Sequence, residues 1–333
     1  MNEVIAMPSP TASHYRRSCL ATAVLLGTLA LVATLPAHAV EGGLGRSITG
    51  MQITSYVGII PPDPGMQWSL SYVHYDGTIG GSRPTPIAGQ ISLGLDADVS
   101  LLAATGVYVW PTKAGKWNFG TMLTVPYIDA DISAGLQGPL GNQVRVQDST
   151  SNFFDLYFAP VIASYHIDPV QHVSFGLYVY APTAKYTPGK LANPGMNVWT
   201  VSPAVGYTHL FQTGTLEFSA LGGMDWYSRN DATDYKNGLV LRADALLIKR
   251  SPGGWGFGAA AGWIQQVQDD DSELADRLNG FKGRSFGVGP VLTYGKKWSG
   301  GEHVDVSFRY LSEFSVRNRF EGDPWSVSIS AGF

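Results

Sequence analysis

The chain has a single cysteine, Cys19, in 333 residues. It precedes the apolar run 20–35, where it is misplaced for a lipoprotein anchor, and nothing after it can form a disulfide. Charge is also scarce: 14% of residues are Asp, Glu, Lys or Arg, against roughly 25% in soluble domains. Beyond the N-terminal region no apolar run approaches the roughly 20 residues of a membrane-spanning helix. No H-E-x-x-H, P-loop or cysteine metal spacing is present. The net charge of −4 offers no basic footprint for nucleic acid.

Glycine and aromatics are abundant, with 40 Gly, 9 Trp, 16 Tyr and 14 Phe. The mean hydropathy is close to zero. Many aromatics, few charges and neutral hydropathy together fit a transmembrane β-barrel, in which lipid-facing and lumen-facing residues alternate and average out. The C-terminal stretch Asp323–Phe333 shows the alternation directly. Trp325, Val327, Ile329, Ala331 and Phe333 are apolar, with Ser326, Ser328, Ser330 and Gly332 between them. Period-2 alternation places one face against an apolar medium and the other against a wet one. An edge strand of a soluble sandwich would give the same local pattern.

Residues 1–39 read as a cleaved secretory signal. Arg16 and Arg17 supply the positive region, 20–35 the apolar core, and Ala37-His38-Ala39 the cleavage site. Residues 40–65 are rich in glycine and end in Pro61-Pro62-Asp63-Pro64-Gly65, which cannot donate a regular ladder. They are expected to form a non-barrel segment. Its apolar Ile53, Tyr56, Val57, Ile59 and Ile60 favour burial in the lumen, as a small plug, over the periplasm.

From residue 66 to 333 the alternation recurs between turn signals. It predicts an all-β, antiparallel transmembrane barrel of about twelve strands, at 66–76, 89–110, 116–132, 152–167, 172–182, 198–210, 215–228, 236–248, 255–267, 284–297, 302–314 and 323–333. Connections alternate in length. Tight ones, such as Pro111–Gly115 and Asp168–Gln171, take turns with longer polar ones, such as Gly77–Ala88, Ser133–Ser151, Thr183–Asn197 and Gln268–Gly283. Outer-membrane barrels sort their turns and loops in this way, and a sandwich has no reason to. Closure also leaves no unpaired backbone in lipid.

The same face assignment directs Asp155, Glu217, Asp225, Arg242, Asp244, Asp305, Arg309 and Glu313 into the lumen, together with Tyr157, Tyr178 and Tyr180. Ionisable groups inside a membrane protein usually face a wet cavity and pair. Arg242 with Asp244, and Asp305 with Arg309, are placed to pair with neighbouring strands. These charges can form a constriction that filters solutes or a salt-bridge network that stiffens the lumen. The tyrosines can offer a stacking surface to an aromatic solute or act as filler. Two polar runs, Asn230–Tyr235 and Asp269-Asp270-Asp271-x-Glu273, carry oxygen ligands of the kind hard cations take, but neither has EF-hand spacing, and a solvated loop explains both. No metal or other cofactor is assigned. The histidines after residue 39 are His74, His166, His172, His209 and His303, none in a recognisable nucleophile motif, so no catalytic residue is assigned.

The stretch from Tyr180 to Tyr235 is more distinctive than bulk alternation. So are Gly280-Phe281-Lys282-Gly283-Arg284 followed by Phe286-Gly287-Val288-Gly289-Pro290, the Glu41-Gly42-Gly43 start, the Pro61–Gly65 turn and Arg319-Phe320-Glu321-Gly322-Asp323 before the last strand. Together they resemble the outer-membrane family named for the meta-cleavage pathway of phenol degradation, over essentially the whole chain after the leader. The resemblance implies a barrel in the outer-membrane bilayer that passively takes up small hydrophobic or aromatic compounds. It supplies no catalytic residues. Two alternatives remain: an outer-membrane lipid-modifying enzyme, which needs a nucleophile and base near one rim, and a closed structural or adhesive barrel.

Overall fold

The computed structural model describes residues 45–332 apart from 88–89, 114, 138–142 and 300–301. The leader and its cleavage site, residues 40–44 and Phe333 lie outside the described residues. Fifteen strand segments follow one another: β1 (Gly65–Ile87), β2 (Gln90–Val109), β3 (Trp117–Gln137), β4 (Gln143–Phe153), β5 (Leu156–His166), β6 (Gln171–Ala181), β7 (Thr200–Phe211), β8 (Leu216–Tyr227), β9 (Val240–Arg250), β10 (Trp255–Gln266), β11 (Arg284–Lys297), β12 (His303–Tyr310), β13 (Ser312–Arg317), β14 (Glu321–Gly322) and β15 (Trp325–Gly332). A short helix, α1 (Glu273–Arg277), lies between β10 and β11 and is capped by Ser272, whose side chain accepts from the Ala275 amide.

All pairings are antiparallel. The ring closes where β1 meets β15, from Gln67 opposite Gly332 to His74 opposite Trp325. Three wall strands consist of two pieces each: β4 with β5, β12 with β13, and β14 with β15. The fifteen segments therefore make a closed barrel of twelve strands. The interruptions fall at Phe154-Asp155, at Leu311 and at Asp323-Pro324. Proline lacks an amide to donate, and the Pro324 carbonyl instead accepts from the Leu311 amide at 2.9 Å.

The alternation sets the two faces as expected. Trp68, Leu123, Phe257 and Ile329 point outward, and Phe257 is 62% exposed. An apolar surface of this extent is unsuited to water and suited to lipid. Among the described residues no helix is long and apolar enough to cross a membrane; the apolar outer face belongs to the strands. The tight connections gather at the end holding the N-terminus of β1 and the C-terminus of β15, which is the periplasmic end in barrels of this kind.

Two expected loops are strand instead. β1 and β3 run through most of 77–88 and 133–137, and β4 occupies much of 143–151. β1 has 23 residues and β3 has 21, about twice the 9–11 that a bilayer requires. β1 to β4 therefore continue past the membrane as a four-stranded sheet. Its inner face holds Ile79, Leu95, Ala97, Ile132 and Ala134, capped by Leu191, Ala192 and Phe320. Gly, Pro and Asp in these segments concealed the period, because the outer face there meets water and not lipid. At the other correction, β9 starts at Val240 and not at 236. Lys236 is tied to Asp271 by a bridge outside the wall.

Residues 45–64 run inside the ring. Their contacts pass from Arg46 at the loop-bearing end to Ile60 at the tight-turn end. Space is short where this segment touches the wall: a Cβ at Gly262 of β10 would lie 2.2 Å from the Gly50 amide nitrogen. Gly262→Ala is expected to cost about 1–3 kcal/mol by overpacking and to push residues 49–52 away from β10. Hydrogen exchange would detect this as faster exchange at 49–52 with β9 and β10 unchanged. Unaltered exchange at 49–52 would show that the contact is not tight.

Candidate functional site: the lumen and its inner segment

The lumenal charges are placed by strand periodicity, and most of them engage the inner segment. Asp155 sits at the break between β4 and β5 and is fully buried. Its carboxylate accepts from Arg46 Nη1 at 2.7 Å and from the amides of Ala184 and Met196 at 3.0 and 3.1 Å. The Arg46 guanidinium also donates to the Val198 carbonyl at 2.9 Å and lies over the rings of Phe154 and Tyr180. One ion pair thus joins the segment, the wall and the 182–199 loop.

Further into the ring, Ser47 donates to Asp225 at 2.7 Å, and Asp225 is paired with Arg242 at 3.3 Å. Arg242 therefore finds its partner on β8, while Asp244 accepts from the Gln52 amide at 3.1 Å. Thr49 donates to Glu313 and lies 2.7 Å from the Ser285 hydroxyl. Glu313 also accepts from Tyr75 at 2.7 Å and from the Gly322 amide. Arg309 does not pair with Asp305. It donates to the carbonyls of Gly50 and Ile53 at 2.6 and 2.9 Å. Near the tight-turn end the Tyr56 amide donates to Glu217 at 2.6 Å, Arg250 pairs with Glu217 at 2.5 Å, and the Arg250 guanidinium lies over the Tyr56 ring. Asp305 is exposed and has no ion pair among the described residues. Arg46, Ser47 and Thr49 went unassigned in the sequence because they precede the barrel, where no periodicity fixes a face.

Tyr157, Tyr178 and Tyr180 do cluster, with ring centroids 4.2 Å apart for Tyr157–Tyr180 and 5.7 Å for Tyr157–Tyr178. Tyr178 and Val57 of the inner segment both pack against one apolar cluster.

An apolar cavity of ≈150 Å³ lies beside the outer end of the segment. Leu101, Ile128, Ala130 and Ile132 of β2 and β3 form one side, with Phe154, Met196 and Phe320 closing it. Its polar lining comprises Arg46, Ser47, Tyr75, Asn193, Glu313 and Arg319. A cavity of about this volume accommodates one benzene ring.

The two polar loops bind each other. Arg229 pairs with both Asp234 and Asp271, and Lys282 pairs with Asp269. Asp270 is buried and accepts from Tyr235, from the Gly238 amide at 2.8 Å and from Gln266 at 2.5 Å. Burial pushes its carboxyl up to about 6. Among the described residues no group of three or more His, Cys, Asp or Glu could hold a metal ion. The histidines place one pair beside a nucleophile. His74 Nδ1 lies 3.2 Å from Ser100 Oγ and 3.6 Å from Asp98 on the outer face. A relay needs one ring nitrogen facing the serine and the other facing the acid; here a single nitrogen meets both. His166 and His172 touch each other through their Nδ1 atoms at 2.6 Å near the tight-turn end, and among the described residues no serine hydroxyl hydrogen-bonds to either.

A family model, Phenol_MetA_deg, whose description assigns it as a proposal to the MetA pathway of phenol degradation, matches residues 81–329. No curated protein matches the sequence. Among solved structures, an outer membrane channel of Pseudomonas putida F1 is similar at 14% identity and a TM-score of 0.64, over 85% of this chain and 100% of that one. That likeness shows the fold. More distant are the β domain of the Bordetella autotransporter BrkA, at 15% identity and TM-score 0.47 over 81% of this chain and 100% of that one, and the CymD monoaromatic hydrocarbon channel, at 10% and 0.42 over 90% and 98%.

Removing Arg46 would strand the buried Asp155 charge. Arg46→Met is expected to cost about 3–5 kcal/mol and to loosen residues 46–53. A second change, Asp155→Leu, should recover part of that loss, because it removes the orphaned carboxylate. Unfolding midpoints of the two single variants and the double variant would measure the coupling. Strictly additive effects would show that the pair does not hold the segment.

Proposed function

The chain belongs to the phenol-degradation family of outer-membrane barrels, and on that premise we propose that it is a passive outer-membrane channel for small hydrophobic or aromatic compounds. The observation that carries this reading is the ring-sized, largely apolar cavity inside the lumen. A general porin for polar solutes needs a continuous wet path and gains nothing from such a cavity. An apolar solute gains roughly 25 cal/mol for each Å² it removes from water. In this reading the segment 45–64 is a plug whose displacement opens the way past the cavity, the lumenal charges hold it in place, and residues 1–39 direct export. The barrel then has no catalytic role.

Uptake of labelled toluene and labelled arabinose by cells carrying the protein, compared with cells lacking it, tests the reading. Toluene uptake is expected to rise several-fold while arabinose uptake stays at the background level. Ala130→Phe, which fills the cavity, should return toluene to background. Faster arabinose uptake would make the barrel a general porin, and no gain for either solute would make it a closed barrel.

A further inference from the structure

Arg319 differs from the other cations that face the inner segment. Arg46, Arg242 and Arg250 each have a carboxylate partner within 3.3 Å, and Arg309 is spent on two carbonyls. Arg319 has no ion pair among the described residues. Its one hydrogen bond there runs from Nη2 to the Ser47 carbonyl at 2.7 Å. It is half-buried and lines the apolar cavity. Glu313, the nearby carboxylate, feels the Arg319 charge but accepts its hydrogen bonds from Thr49, Tyr75 and the Gly322 amide, and among the described residues none joins it to the guanidinium. The planar fork of an arginine presents five N–H donors, and burying donors beside an apolar surface without acceptors is unfavourable. A largely apolar, ring-sized space, edged by a fork with donors left over among the described residues, matches a ring that carries an oxygen.

We propose that Arg319 is a specificity-determining residue that selects single-ring aromatics bearing an oxygen acceptor, a phenolic hydroxyl or a carboxylate, over plain aromatic hydrocarbons. This rests on the cavity being the solute site. The ring occupies the space between Ile132, Phe154 and Phe320, and the oxygen accepts from the Arg319 guanidinium. Phenol and benzoate present the same acceptor from different sources. Phenol stays neutral beside Glu313, whereas benzoate adds a second negative charge there.

Equilibrium binding of labelled toluene, phenol and benzoate to the full barrel in nanodiscs, corrected with empty nanodiscs, decides the matter. At least one oxygenated ligand should bind about tenfold or more tightly than toluene, the scale of a hydrogen bond to a charged group. In Arg319→Met that preference should fall to near unity while toluene binding persists, which shows that the cavity is intact. Arg319→Lys should keep part of the preference. A preference for phenol alone would identify the hydroxyl as the source, and one for benzoate alone the carboxylate. Toluene binding as tightly as both, or a preference that survives Arg319→Met, would overturn the role of Arg319 and leave the cavity standing. If toluene binds and Ala130→Phe does not abolish it, or if no ligand binds, the cavity reading fails and the selectivity falls with it.

Discussion

A carboxylate taken out of water needs donors, and the barrel wall has too few. Asp155, Glu217, Asp225, Asp244 and Glu313 are all buried in the ring. The wall supplies Arg242 and Ser202 to Asp225, Arg250 and Ser219 to Glu217, and Tyr75 to Glu313, while Arg309 faces backbone carbonyls. The inner segment makes up the difference with the Arg46 guanidinium, the hydroxyls of Ser47 and Thr49 and the amides of Gln52 and Tyr56. Leaving such carboxylates unpaired costs several kcal/mol each. The path of the segment through the ring is therefore fixed by side chains of the wall more than by its own local preferences.

That arrangement divides the lumen into two chemistries. Along the segment, hydrogen bonds and ion pairs hold backbone against wall, and apolar residues such as Ile53 fill the spaces between β8 and β11. Beside its outer end the lining turns apolar and leaves room for one ring. Movement of the segment exchanges bonds with charged partners for water, so displacement is costly but local. The cavity, by contrast, requires no polar rearrangement to accept an apolar solute. In the proposed reading, holding and recognition meet in one small region, where Arg46 pairs with Asp155 and shares the cavity lining with Ala130, Phe154 and Arg319.

The wall was legible in the sequence because a strand in lipid must alternate. Trp325, Val327 and Ile329, or Trp199 and Val205, declare their face with no help from tertiary context. The inward direction of Asp155, Asp225 and Arg242 followed from the same period. Partner choice did not, since register decides it: Arg242 meets Asp225 across β8 and not Asp244 on its own strand. The extensions of β1 and β3 were missed because both faces there avoid lipid, which removes the contrast that reveals a strand. Arg46 and Arg319 lay outside any periodic segment, and only the fold brings them to one cavity.

We propose that the segment held by the lumenal charges controls passage. The described chain contains no cysteine, so Thr49→Cys with Ser285→Cys, whose hydroxyls lie 2.7 Å apart, would give one switchable tether between segment and wall. Toluene uptake by cells carrying this double variant, measured oxidised and then reduced, is the direct test. Uptake is expected near background when the tether is closed, with recovery on reduction. Equal uptake in the two states, with the tether shown to form, would contradict it.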